Sequence, residues 1–384
     1  MRLARLTFFH VPVPLRRRVT HASRSRVSND ALFVKAETAG GRVGWGEGLP
    51  RDYVTGETIE TCLAAIDRLA APPNFADDAA VVAWLHGPFL PGSPEEAARP
   101  GFGNTVRCAV ETAVLAACGV DPGRFLTPLG DDPGVWLARR VRYGVVLTTT
   151  KPWKRRTLAL AYRAWGFRDA KVKLGTGDDE AAARQARRWF GPRVALRADA
   201  NEAWDPGEVA AKCAMLAALG FESVEQPVNR GREHELPAGL ALPVLWDESV
   251  CCPADAKRLH ALDPACRFNL RLSKNGGLLR TWDVLRWATN RGVPCQLGCM
   301  VGEAGILSAA GRWLAGRAEW SRLEGGYGRH LVAEPFTRED WTFGRGGVAA
   351  APAGDAYPPC VVDGAKIGAA AVRRVERAFT APGG

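Results

Sequence analysis

Apolar residues dominate two runs near the start of the chain, Leu3 to Val11 and Ala31 to Glu37. Ala39-Gly40-Gly41-Arg42 then supplies a Gly-rich turn before Val43 to Glu47. This pattern predicts antiparallel strands and a hairpin. The period changes over 57–70, where Ile59, Cys62, Leu63, Ile66 and Leu69 make one helical face. It does so again over 104–118, where Val106, Val110, Val114 and Leu115 make another. Pro72-Pro73 and Pro88 to Pro100 read as loops between them. From about residue 141 short apolar runs alternate with helical segments. Strands are predicted near 141–147, 170–174, 194–199, 222–226, 243–247, 267–272, 293–298 and 319–323. Asp178 to Phe190 and Pro206 to Leu219 are examples of the helices between them. Eight strand–helix alternations predict an α/β chain built on a parallel TIM-type barrel. The expected organisation is an α+β capping domain over 1–140, a barrel over 141–345, and a C-terminal segment, 346–384, that returns to the first domain.

The totals narrow the field. Of 384 residues, 47% are apolar and 24% charged, as in an ordinary globular protein. No stretch approaches the roughly 20 apolar residues of a membrane span. The start, Met1-Arg2-Leu3-Ala4-Arg5-Leu6, lacks an apolar signal core, so a cytoplasmic location is expected. Net charge is +10, but the basic residues are spread along the chain. That favours a solvated Arg-rich surface over a nucleic-acid interface. The ten cysteines form no CxxC pair, which argues against zinc and for reduced thiols.

Chemistry concentrates where the predicted barrel strands end. Lys173, Asp199, Glu225 and Asp247 follow one another at intervals of 26, 26 and 22 residues. One acid closing a strand is usually a turn or cap residue. Three at successive barrel strand ends repel one another unless a cation lies between them. Oxygen ligands without His or Cys point to Mg²⁺, with Mn²⁺ as a substitute. Asn201, Gln226 and Glu248 stand beside these acids as residues that orient them. Lys171 and Lys173, two apart on one strand, point to the same side. A lone Lys-x-Lys pair on a surface means little. Inside a barrel, two ammonium groups depress each other's pKa, which tunes Lys173 toward a general base.

These strings together resemble the enolase superfamily, in its muconate-lactonizing (muconate cycloisomerase) subgroup. Gly44-Trp45-Gly46-Glu47 and Tyr53-Val54-Thr55-Gly56-Glu57-Thr58 resemble its capping domain. Lys171-Val172-Lys173, Asp199-Ala200-Asn201, Glu225-Gln226-Pro227 and Asp247-Glu248-Ser249 resemble its base and metal strands. Gln296 to Glu303 resembles its seventh-strand segment. The resemblance implies a modified, (β/α)7β-like barrel. It also implies abstraction of the proton α to a carboxylate, with Mg²⁺ holding the enediolate. Lys173 would be the acid/base, Lys171 its electrostatic partner, and Glu303 would lie near the lysine of the opposite face. No His paired with Asp supports a mandelate-racemase type of base.

Two departures shape the expected function. Where the family places its second lysine, five residues before Gly276-Gly277, stands Arg271. Arginine stays protonated and shuttles protons poorly. Lys274, three positions on, should point differently or lie in the loop. Arg322-Leu323-Glu324 stands where dipeptide epimerases carry Asp-x-Asp, and an arginine has the wrong sign to hold a substrate ammonium. The expectation is therefore a Mg²⁺-dependent lyase or cycloisomerase acting on a small carboxylate substrate, with a homo-oligomeric assembly and no nucleic-acid or membrane partner. The alternatives are an o-succinylbenzoate synthase-like dehydratase, an N-acylamino acid racemase or dipeptide epimerase, and a metal-binding relative without turnover. Specificity is expected from the loops Val19 to Asn29 and Leu49 to Thr58.

Overall fold

The computed structural model describes every residue except 21–24, 92–100, 128, 130–137, 149–150, 353, 355 and 380–384. The chain opens with three antiparallel strands, β1 (Leu3–Thr20), β2 (Ser25–Thr38) and β3 (Val43–Gly48). Helices α1 (Ile59–Ala65), α2 (Asp78–His86) and α3 (Asn104–Cys118) follow. The sheet is completed from the far end of the chain, where β14 (Arg373–Ala378) pairs with β1 to give the order β14-β1-β2-β3. Two elements depart from the expected pattern. β1 runs to Thr20 through Pro12 and Pro14. Helix α2 lies between the two stretches read as loops, where the pattern predicts no element, and is capped by the Asp77 carboxylate accepting from the Ala80 amide at 2.8 Å.

Eight parallel strands then form the barrel, in the order β12-β11-β10-β9-β8-β7-β6-β5. β4 (Arg140–Arg142) precedes them and pairs with β13 (Val348–Ala350) instead. The barrel strands are β5 (Val145–Leu147), β6 (Asp169–Lys173), β7 (Ala195–Asp199), β8 (Phe221–Glu225), β9 (Val244–Trp246), β10 (Arg267–Leu270), β11 (Cys295–Leu297) and β12 (Arg322–Leu323). The predicted strand over 141–147 is thus two short strands broken at Tyr143-Gly144. The seam is closed where the Gly144 amide donates to the Leu323 carbonyl at 2.8 Å. Among the described residues no helix is long and apolar enough to cross a membrane.

The two domains dock through glycines and buried acids. Gly44, Gly46 and Gly48 on β3 lie flush against α3. A Cβ on Gly46 would sit 1.9 Å from the Ala109 carbonyl oxygen, so any side chain there would push the helix away. The opposite face of β3 carries Glu47, whose carboxylate accepts from the amides of Ala304 (2.6 Å) and Leu307 (3.0 Å) at the start of a barrel helix, Ile306–Ala315. Glu111 on α3 accepts from the Leu278 (2.5 Å) and Leu279 (3.3 Å) amides, which open the helix Leu278–Thr289. Gly277 makes room for it, since a Cβ there would meet the Glu111 carboxylate at 2.5 Å. Capping-domain acids thus satisfy helix N–H groups that have no intrahelical acceptor.

Burial raises Glu47 to about 7 and Glu111 to about 8, against the backbone N–H groups that favour the anion. The stability these acids contribute is full below about pH 4.5 and is lost as pH rises through 7 to 8. Glu111→Ala should lower unfolding free energy by about 1–3 kcal/mol through the orphaned amides, read by urea denaturation. Glu111→Gln should flatten part of the decline in melting temperature between pH 5 and 8. An unchanged slope in that variant would show that Glu111 does not titrate in this range.

Candidate active site at the barrel mouth

Lys173, Asp199 and Glu225 are the last residues of β6, β7 and β8. Asp247 and Arg271 follow β9 and β10 by one residue. All five therefore meet at the C-terminal mouth of the barrel. Lys171 Nζ reaches Glu225 at 3.0 Å, Asp199 at 3.3 Å and Glu324 at 2.8 Å. Lys173 Nζ lies 3.4 Å from Asp199 and donates to Asn201 Oδ1. The Arg271 guanidinium presses on Asp247 Oδ2 and lies 4.0 Å from Glu225. Asn269 Nδ2 also donates to Glu225, at 3.1 Å.

The expected mutual depression of the two lysines is not what the site does to Lys171. Burial opposes its charge, but Glu225, Glu324 and Asp199 together hold its pKa well above the usual lysine value. Three carboxylates on one ammonium outweigh one neighbouring lysine. Lys171 is a fixed cation here. Its partner Glu324 would be raised by burial, but Lys171 and Arg197 bring it down to about 2. Burial pushes Glu225 up from its ordinary value, against the pull of Lys171.

Lys274 points differently from Arg271. The strand ends at Leu270, and Leu272–Asn275 form one helical turn that swings Lys274 back beneath the mouth. Its Nζ is fully buried and donates to the Asp247 carbonyl (2.6 Å), Asp247 Oδ1 (3.0 Å) and the Asn269 carbonyl (2.6 Å). Burial lowers its pKa to about 7. Lys274 positions Asp247 and is walled off from the open mouth.

The neighbours divide the work of orientation. Gln226 accepts from the Asp247 and Ser249 amides, each at 3.2 Å, and so ties the ends of β8 and β9 together. The Asn201 side chain holds Lys173, and its amide donates to Asp199 Oδ1 at 3.2 Å. Glu248 is buried with Oε2 lacking a donor, and burial raises it to about 7. Glu303 accepts from the Met300 amide at 2.9 Å and from Ser308 Oγ at 3.1 Å. Burial raises it to about 8, while the Arg271 charge acts to lower it.

Arg322 corrects a further expectation. It lies at the other end of the barrel, bonded to Asp169 at 2.9 Å and Glu222 at 2.5 Å. Its charge therefore says nothing about a substrate ammonium at the mouth. Glu324, two residues on, is the side chain that faces the site. Glu324 and Asn269 are members that the sequence reading did not assign. Alternation along a strand from Arg322, and from Asn269 to Arg271, is the signal that finds them.

The Leu49 to Thr58 segment meets the loops that follow β8 and β11. Arg230 donates to the carbonyls of Val54 (2.5 Å) and Tyr53 (3.2 Å), and Arg51 donates to that of Val301 at 3.0 Å. Arg26 stacks over Tyr53 at 5.2 Å. The described residues of the expected Val19 to Asn29 loop are strand, the end of β1 and the start of β2, and residues 21–24 lie outside the described residues.

The donor set suits a hard divalent cation. Glu248 Oε2 is a buried oxygen without a hydrogen-bond donor, and Asp247 Oδ2 faces the Arg271 guanidinium. Among the described residues, however, no three ligands are arranged to hold an ion. Lysine and arginine heads stand between the acids, so a bound cation would replace Arg271 as the counter-charge of Asp247.

A family model described as enolase C-terminal domain-like matches residues 154–354, over half of the chain. The L-Lys-D/L-Arg epimerase of Methylococcus capsulatus is 33% identical over 75% of this chain and 79% of its own length. A dipeptide epimerase from Cytophaga hutchinsonii, solved with Mg and the dipeptide D-Ala-L-Val, superposes with a TM-score of 0.79 at 20% identity, covering 98% of this chain and 100% of that one. A muconate lactonizing enzyme from Klebsiella pneumoniae gives 0.79 at 21% identity, covering 97% and 100%. At such identities the structural likenesses establish the fold alone.

Proposed function

Because this chain belongs to the enolase superfamily, we propose that it abstracts the proton α to the carboxylate of a small amino-acid-derived substrate, a dipeptide or N-acyl amino acid, with Lys173 as the base. The observation that carries the reading is the pairing of Lys173 on β6 with Arg271 after β10, on either side of Asp199, Glu225 and Asp247. The substrate class rests on the sequence likeness to an epimerase of amino-acid derivatives. It replaces muconate as the favoured substrate, now that Arg322 no longer counts against an ammonium-bearing one.

Asp199, Glu225 and Asp247 would hold Mg²⁺. When bound, the ion supplies positive charge against the developing enediolate. In the chain alone, each of these acids already faces a lysine or arginine. Added divalent charge leaves the mouth net positive, which suits an incoming carboxylate. Lys171 stays charged and fixes Asp199 and Glu225. Lys173 reaches out from Asn201 to take the proton.

A second reading has one specific observation in its favour. Arg271 stands opposite Lys173, and a guanidinium stabilises charge but shuttles protons poorly. A one-base outcome, cycloisomerisation or dehydration, then follows from the same proton abstraction. Incubation in D₂O with Mg²⁺ and a panel of dipeptides, N-succinyl amino acids and muconate separates the readings. Exchange at the α-carbon without inversion is expected of the unmodified protein. Arg271→Lys should gain slow exchange on the second face. Two-face exchange by the unmodified protein would refute the passive role of Arg271.

A further inference from the structure

The barrel has a second charged opening, at the end opposite the mouth. A cavity of about 410 Å³ lies where the seam between β5 and β12 meets β4 and the start of β6. Arg140, Arg142, Arg168 and Arg322 line it, with Asp169 as the only acid among its lining residues. Both oxygens of Asp169 are already taken, by Arg197 (2.7 and 3.2 Å) and by Arg322 (2.9 Å). Arg140 and Arg168 are exposed and have no side-chain hydrogen bond or ion pair among the described residues. Trp320 also lines the cavity, and its indole N–H has no partner among those residues.

Exposed arginines are usually only solvated, but two features tell against that here. The four guanidinium groups come from three separate segments. They meet around a concave space. Of the four, Arg322 is already paired with Asp169 and Glu222 and Arg142 donates to the Gly346 carbonyl, which leaves Arg140 and Arg168 for a ligand. Guanidinium forks match the oxygens of a phosphoryl group, two donors to two acceptors. The space exceeds what one oxyanion fills, so a small organic group attached to the phosphate has room.

We infer that this opening is a binding site for a phosphoryl group carried on a small molecule, separate from the catalytic mouth. Asp169 is its floor. Beyond Asp169, Arg197 and Glu324 (2.9 Å apart) and then Lys171 close the barrel interior between the two ends. A ligand held by Arg140 and Arg168 therefore cannot reach Lys173.

Calorimetry on the full chain in Mg²⁺-free buffer at fixed ionic strength tests this, with inorganic phosphate in one arm and glycerol 3-phosphate in the other. Saturable one-to-one binding is expected, tighter for the ester. Arg140→Ala/Arg168→Ala should weaken it about tenfold or more, as expected for lost hydrogen bonds to a charged group. Both side chains are exposed, so the melting temperature should hold, as should α-proton exchange at the mouth. Equal affinity for both probes would show that the phosphoryl group alone is recognised and would remove the organic carrier from the inference. Absence of saturable binding at millimolar concentrations of either probe, or binding undiminished in the double variant, would overturn the site.

Discussion

Lys173→Ala should lower α-proton exchange by at least ~10²-fold, the lower bound of a general-base contribution. The loss should appear in turnover, because on the proposed mechanism the residue takes the reacting proton, and it is not needed to hold the fold. Its side chain is 17% exposed and bonded to polar partners, so truncation opens no apolar cavity. The melting temperature should therefore stay near that of the unmodified protein. Asn201→Ala gives an internal comparison. It frees Lys173 without removing it and should cost less. Near-normal exchange in Lys173→Ala would transfer the base role to another group, and the assignment would fail.

Asp199→Asn should weaken Mg²⁺ binding by more than the roughly 10–100-fold that loss of an outer partner alone can cost. Magnesium calorimetry reads this without any substrate. Asp199 sits between Lys171 and Lys173 and is register-paired with Glu225 on the next strand. On the proposed reading its charge therefore serves both the cation and the base. Replacement by the isosteric amide removes the charge with little change in shape, so the fold should persist. Unchanged affinity would show that the ion is held elsewhere, and the reading of three strand-end acids as ligands would fall with it. Addition of Mg²⁺ to the unmodified protein should also free Arg271 from Asp247. That release can be followed as a change in guanidinium chemical shift.

Parts of this site could be read from local pattern because each strand end presents one side chain. Lys173, Asp199 and Glu225 each close a barrel strand, and the chain spacing alone lines them up. Lys274 resisted such reading because β10 stops at Leu270 and a single helical turn reverses its direction. Periodicity registers helices of several turns, not one. The charge on Lys171 depends on Glu324, which is 153 residues away in the chain and meets it only after the barrel closes. The same holds for Gly277. The sequence displays a Gly-Gly pair, but its reason is a carboxylate arriving from α3 in the other domain. Arg322 misled for a simpler cause. Two residues along a two-residue strand separate the floor of the barrel from its mouth.

The pairing of β1 with β14 has a consequence for synthesis on the ribosome. Arg5 lies opposite Ala378, so the first strand has this neighbour only once β14 has been translated. The barrel strands between them are complete earlier and can assemble first. Until β14 emerges, one edge of β1 stays unpaired, and an exposed edge invites pairing with another nascent chain. Arg5, Arg374 and Glu376 carry charge along this edge and its eventual cover. Slowing translation just ahead of β14 should therefore raise aggregation more than the same delay placed inside the barrel.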